Sequence, residues 1–207
     1  MVAMRYDIAT LRLRLGTYGR AIPAVDAWSK ADTARGTLLG AWLSETGDVN
    51  EFSLLRAYAD DTEMQAERWR TLETENPFGC GDILEGLRFD SYAPFPWVKP
   101  LPPGRYGSVY EIRTYWLKPG GVPGTSAAWH AAMPKRSLFS PMVIAMYALD
   151  GAPRFTHIWP YKTMIERAEI RAATVAKGVW PPRGGPDWLT GQMTKMIAVP
   201  TSISALA

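Results

Sequence analysis

The chain repeats itself, and that repeat restricts its fold more than any other feature. Arg5-Tyr6-Asp7-Ile8-Ala9-Thr10 lies over Val109-Tyr110-Glu111-Ile112-Arg113-Thr114 at an offset of 104 residues, which also places Gly16 on Gly120 and Gly47 on Gly151. One residue is lost beyond that turn. At an offset of 103, Phe52 meets Phe155, Tyr58 meets Tyr161, Glu63 meets Glu166 and Arg68 meets Arg171. Near-constant spacing over most of a half-chain marks two copies of one structural unit.

Each copy carries the same sequence of periodicities. Residues 5–14 and 108–117 alternate as strands do, and 20–34 and 124–136 read as helices. A hairpin follows, Leu38–Glu45 turning into Asn50–Tyr58, with its twin Met142–Leu149 turning into Arg154–Tyr161. Gly in both turns supplies the positive φ that a tight hairpin needs. Second helices over 61–75 and 163–177 and last strands over 82–91 and 192–200 complete β-α-β-β-α-β, written twice. The expected fold class is α+β: two tandem ferredoxin-like units, each with helices on one sheet face, pairing sheet to sheet as a pseudo-dimeric α/β barrel. The expected organisation is a first repeat over 1–93, a Pro-rich linker over 94–105 and a second repeat over 106–207. Both closure within one chain and pairing in a homo-oligomer are compatible with this pattern.

Composition removes several function classes. The longest nearly uninterrupted apolar run, Met142 to Leu149, is far short of the about 20 residues that cross a membrane. A formal net charge of +3, scattered along the chain, gives no basic patch for nucleic acid. Cys80 is alone, so no disulfide framework is expected. Met1 to Leu15 has no apolar core of a secretory signal, and a cytoplasmic protein is the expectation. His130 and His157 with one cysteine have no zinc-site spacing, and no nucleophile elbow, phosphate loop or dinucleotide fingerprint occurs. No cofactor is expected; a haem would have a single His to bind it.

Tyr110-Glu111-Ile112-Arg113-Thr114-Tyr115-Trp116-Leu117-Lys118-Pro119-Gly120 resembles the opening strand of the NIPSNAP family. So does His157-Ile158-Trp159-Pro160-Tyr161, followed by Glu166, Arg167 and Arg171. The first repeat departs from that pattern: Asp7 stands for the Glu, Ala9 for the Arg, Leu11 for the Tyr and Leu54 for the His. The resemblance implies the dimeric α/β-barrel fold, shared with antibiotic-biosynthesis-type monooxygenases, muconolactone isomerases and haem-binding relatives. It implies no particular reaction.

Candidate site residues follow from strand alternation. Val109, Glu111, Arg113, Tyr115 and Leu117 share one face; Tyr110, Ile112, Thr114 and Trp116 share the other. The second set is the more apolar and is expected under the helices, leaving Glu111 and Arg113 to face the barrel interior with His157 and Trp159. That predicts a small-molecule site in the barrel, biased to the second repeat. Arg113, Tyr115, Trp159 and Tyr161 would bind a small anionic or aromatic ligand, and His157 and Glu111 would be the catalytic candidates. The competing readings are a Glu111–Arg113 ion pair of purely structural role, a histidine satisfied by its neighbours, and Arg68 and Arg171 each pinning a helix to its own half. Three functions remain open: a ligand-binding protein, a cofactor-independent monooxygenase or isomerase, and a protein-interaction module. The breaker-rich segment Gly178–Trp188 reads as a loop or lid.

Overall fold

The computed structural model describes residues 4–100 and 102–207. Residues 1–3, at the start of the first repeat and of the segment read as lacking a signal, and Leu101 of the linker lie outside the described residues. The elements run β1 (Arg5–Leu13), α1 (Tyr18–Ser29), β2 (Thr37–Thr46), β3 (Glu51–Tyr58), α2 (Asp61–Leu72) and β4 (Leu84–Pro94). The second half repeats them as β5 (Val109–Leu117), α3 (Gly121–Arg136), β6 (Ile144–Ala148), β7 (Arg154–Tyr161), α4 (Met164–Ala176) and β8 (Leu189–Pro200).

Several of the repeated residues now have physical reasons. Gly16 and Gly120 both sit at φ +77° between first strand and first helix, a conformation that an L side chain resists. Glu63 and Glu166 close the N-termini of α2 and α4. Their backbone N–H groups donate to Asp60 Oδ1 (2.8 Å) and Thr163 Oγ1 (3.0 Å), and their carboxylates accept from the backbone N–H groups of Ala59 and Lys162.

The eight strands form one closed barrel in the order β1-β3-β2-β8-β5-β7-β6-β4. Each half contributes an antiparallel ferredoxin-like sheet, and the halves join where a hairpin strand meets the other half's last strand. One seam pairs β2 with β8 over Trp42↔Pro200 to Thr46↔Ile197; the other pairs β4 with β6 over Tyr92↔Ala148 to Pro94↔Met146. Closure within one chain therefore leaves none of the described strands at a sheet edge. β4 continues through Pro94 into the predicted linker, and Phe95 N–H still donates to the Ala145 carbonyl (3.1 Å).

Both faces of each sheet are covered, which overturns the predicted orientation of the strands. The lumen is filled by Tyr6, Trp42, Leu55, Tyr92, Tyr110, Ile112, Ile144, Met146, Ile158 and Ala198, so that every strand contributes. The more apolar set of β5, Tyr110 and Ile112 among it, faces this lumen. Glu111, Arg113, Tyr115 and Leu117 face α3 and α4. The expectation failed because it treated the helix-covered face as the apolar one. In a closed barrel the lumen must be apolar as well, and helices that bring arginines inward can cover a charged face.

Candidate functional site

The site is built on the outer face of the second sheet, between β5, β7 and the helices. Cross-strand register sets Glu111 opposite Trp159, Arg113 opposite His157 and Tyr115 opposite Phe155. Glu111 is buried and accepts from three arginines: Arg113 Nη2 at 2.8 Å, Arg167 of α4, and Arg171 of α4 at 3.5 Å. Burial alone would raise its carboxyl, but the hydrogen bond from Arg167 and the charge of Arg113 outweigh it and hold Glu111 below the usual carboxylate range. Arg113 also donates to the Tyr115 hydroxyl at 3.0 Å. The structural ion pair and the pinning of α4 by Arg171 are thus both present.

His157 sits in an aromatic cage. Its ring stacks on Tyr115 (centroids 5.6 Å, 22°), lies 4.8 Å from Trp129 and meets Trp159 edge-on. Burial pushes its pKa far down, and the charges of Arg113, Arg136 and Arg171 push it further, so the imidazole is neutral at pH 7. Its Nδ1 is buried without a hydrogen-bond partner, as is Nε of Arg113.

Sequence reasoning missed Arg136. It ends α3, is 3% exposed, and stands over the Trp159 ring at 4.0 Å with its Nη1 on Ser140 Oγ (2.8 Å). No carboxylate lies within ion-pair distance of it among the described residues. Burial lowers its pKa, while the neighbouring Tyr161 hydroxyl favours the charge. Its repeat counterparts, Asp32 at one offset and Thr33 at the other, carry no matching charge, so the repeat gave no signal for it.

Among the described residues, Arg113, Arg167 and Arg171 therefore share one carboxylate, and Arg136 beside them pairs with none. Glu111, Arg113, Arg136, His157, Trp159 and Tyr161 border a small cavity of about 30 Å³. A neighbouring apolar space of about 50 Å³, walled by Tyr115, Trp129, Phe155 and Leu189, shares Tyr115 and Trp180 with it. Trp180 belongs to the breaker-rich loop and packs edge-on against Trp129, centroids 4.6 Å apart. The loop thus lies over the helix–sheet layer of the second half.

The first half has closed the equivalent space. Asp7, in the position of Glu111, takes a two-pronged ion pair from Arg56 (2.9 and 2.7 Å), a hydrogen bond from Tyr58, and the more distant Arg68 at 3.9 Å. Arg56 and Arg70 share Glu67 at 3.3 and 2.7 Å. Ala9, Leu11 and Leu54, which replace Arg113, Tyr115 and His157, pack with Phe52 and Phe78 as core. The two halves share a scaffold, but the free cationic cavity lies in the second.

A family model described as NIPSNAP matches residues 6–76 and 110–205, both repeats. The chain belongs to the NIPSNAP family. The NipSnap homolog of Dictyostelium discoideum is 27% identical over 145 residues, which are 69% of this chain and 65% of that protein. This NIPSNAP chain thus spans about two thirds of its relative's length. Among solved structures, a candidate monooxygenase of Lactobacillus acidophilus superposes with a TM-score of 0.69 at 12% identity, over 96% of this chain and 94% of the other. An anthrone oxidase-like protein gives 0.66 at 10% identity, over 96% and 92%. These likenesses establish the α/β-barrel fold. No helix among the described residues is long and apolar enough to cross a membrane.

Proposed function

We propose that this NIPSNAP chain binds a small carboxylate with a flat apolar body between the second sheet and α3/α4. Arg136 carries the reading: a guanidinium this deeply buried is costly unless paired, and among the described residues no carboxylate fills the place of its ion-pair partner. An incoming carboxylate would take that place, with Arg113 and Arg171 adding charge-assisted bonds. The apolar body would lie against Tyr115 and Trp129 where Trp180 now packs, so Trp180 must yield to any ligand larger than a few atoms. The ligand residues expected from sequence, Arg113, Tyr115, Trp159 and Tyr161, all border or adjoin this site, on the outer face of the sheet instead of in the lumen.

Benzoate and its uncharged analogue benzamide test the reading by calorimetry and thermal melting. Benzoate should bind and raise the Tm; benzamide should do neither. Arg136→Met should abolish the benzoate response while melting no lower than the parent, because it removes an unneutralised buried charge. A benzoate response undiminished in Arg136→Met overturns the assignment.

A second reading adds chemistry at the same place. Neutral His157 has an unpartnered Nδ1 beside the arginines. Burial and their charges weaken it as a base, so it would take a proton only from an acidic ligand whose conjugate base the arginines stabilise in return. That is the first step a cofactor-independent isomerase or monooxygenase requires. On this reading His157→Gln keeps benzoate binding and loses solvent-proton exchange into an acidic C–H ligand. Exchange that persists in His157→Gln removes the histidine from that role.

A further inference from the structure

The lumen is not filled along its whole length. Where β2 turns into β3, an open well of about 330 Å³ enters the barrel, lined by Ile8, Thr10, Glu51, Ser53, Tyr92 and Thr114 among others. That is room for roughly ten waters or a solute of about a dozen heavy atoms. It lies on the opposite face of β5 from Arg113, so it is separate from the arginine cavity.

Of the charges that line the well, exposed Asp48 and Lys195 make no ion pair among the described residues. Arg88, Asp90 and Arg154 pair with one another or with Asp150, and Glu51 is the unpaired one that is buried. Arg154 bonds Asp90 at 2.9 Å and Asp150 at 2.7 Å, and Arg88 bonds Asp90 at 3.2 Å. Glu51 is 8% exposed, borders the well, and its carboxylate makes no ion pair or hydrogen bond among the described residues. Burial pushes its carboxyl up. Arg88 and its cross-strand partner Arg12 pull it down, and Asp48 and Asp90 push it up again. A carboxylate with so little exposed surface and no ionic partner meets water only through the well, and a cation bound there would improve on that solvation. A divalent metal is a poor match, since no three carboxylate, imidazole or thiol groups converge among the described residues. The remaining polar lining is hydroxyl: Ser53, Thr10, and Thr114, which is linked through Thr156 to Tyr92 at 2.7 and 3.0 Å.

We propose that the well is a second ligand site, for a small hydroxylated ammonium compound, with Glu51 as its counter-ion and the Thr10 and Ser53 hydroxyls as hydrogen-bond partners. Glucosamine is the probe, with glucose and N-acetylglucosamine as uncharged controls, read by amide NMR shifts of the full chain at neutral pH. Glucosamine should move the Thr10, Ser53 and Thr114 signals saturably, and the two controls should not. Glu51→Gln should weaken glucosamine at least about tenfold, as expected for loss of a charge-assisted bond. Arg136→Met, in the other cavity, should leave glucosamine binding unchanged. Absence of saturable shifts, equal shifts with glucose, or unaltered affinity in Glu51→Gln overturns the proposal. If Glu51→Gln does not fold, the comparison of the three sugars on the parent chain still decides it.

Discussion

Glu111 and Asp7 occupy the same station in the two halves of the barrel. Each lies on its half's first strand facing the helices, and each is approached by the equivalent arginine of its second helix, Arg171 at 3.5 Å and Arg68 at 3.9 Å. What differs is the rest of the charge. Asp7 and Glu67 together nearly balance Arg56, Arg68 and Arg70, whereas Glu111 alone pairs with three arginines, with unpaired Arg136 on the same cavity.

That difference should separate two matched substitutions. Glu111→Gln strands the largely buried Arg113 and Arg167, while Arg171 stays half in water, and should cost about 3–5 kcal/mol, as breaking a buried pair from one side does. Asp7→Asn should cost a similar amount. Added sulfate should restore part of the stability to Glu111→Gln, because on the proposed reading the arginine cavity takes an anion in place of the lost carboxylate. It should restore none to Asp7→Asn, where Glu67 still neutralises Arg56. Urea unfolding with and without sulfate measures both.

His157 should set part of the acid limb of stability. Its folded-state pKa is depressed well below 6.5, its value when unfolded, so the folded state binds no proton where the unfolded state does. The stabilisation is complete above pH 6.5 and declines as pH falls below it, by up to about 1.4 kcal/mol per pH unit for one proton. His157→Gln should flatten that slope between pH 6.5 and the folded-state pKa. An unchanged slope in unfolding titrations over this range would show that the histidine does not contribute.

The fold was legible in the sequence, while the site was legible only in its residues. Repeat spacing, strand alternation and the turn glycines Gly47 and Gly151 sufficed for the order of elements, because each acts over a few neighbouring positions. The direction in which β5 faces is a property of the closed barrel. Tyr110 and Ile112 are apolar because the other half's sheet lies over them, and a single strand does not reveal which of two covered faces it presents. Glu111, Arg113 and His157 stood out as unusual strand residues. Arg136 did not, since a basic residue at a helix C-terminus is commonplace, and only the arrangement of α3 over Trp159 makes it buried and unpaired.

Cys80 should be an inert thiol. It is fully buried, its Sγ contacts the Phe78 carbonyl at 3.4 Å, and burial aided by Asp82 pushes its pKa up to about 11. At neutral pH the thiolate fraction is then about one in ten thousand, before access is counted. An aromatic disulfide reagent should label the native protein no faster than it unfolds, and the labelling rate should rise with urea in step with the unfolding rate. Rapid labelling in buffer alone would contradict this.

The half-chain over 106–207 should form a dimer when produced alone. Its lumenal face presents Tyr110, Ile112, Ile144, Met146, Ile158 and Ala198, which the first half covers in the intact barrel. Exposing so large an apolar sheet to water is unfavourable at about 25 cal/mol per Å², so an isolated half must bury it against something. The edges already have compatible partners. In the full chain each seam joins a hairpin strand of one half to the last strand of the other, β2 to β8 and β6 to β4, so two copies of the second half can pair β6 with β8 twice about a two-fold axis. Light scattering after gel filtration should give twice the mass of the fragment, and alternating charge into the sheet with Ile112→Glu should reduce it to monomer or prevent folding. A well-folded monomer of residues 106–207 would mean that the two halves do not depend on each other for their core.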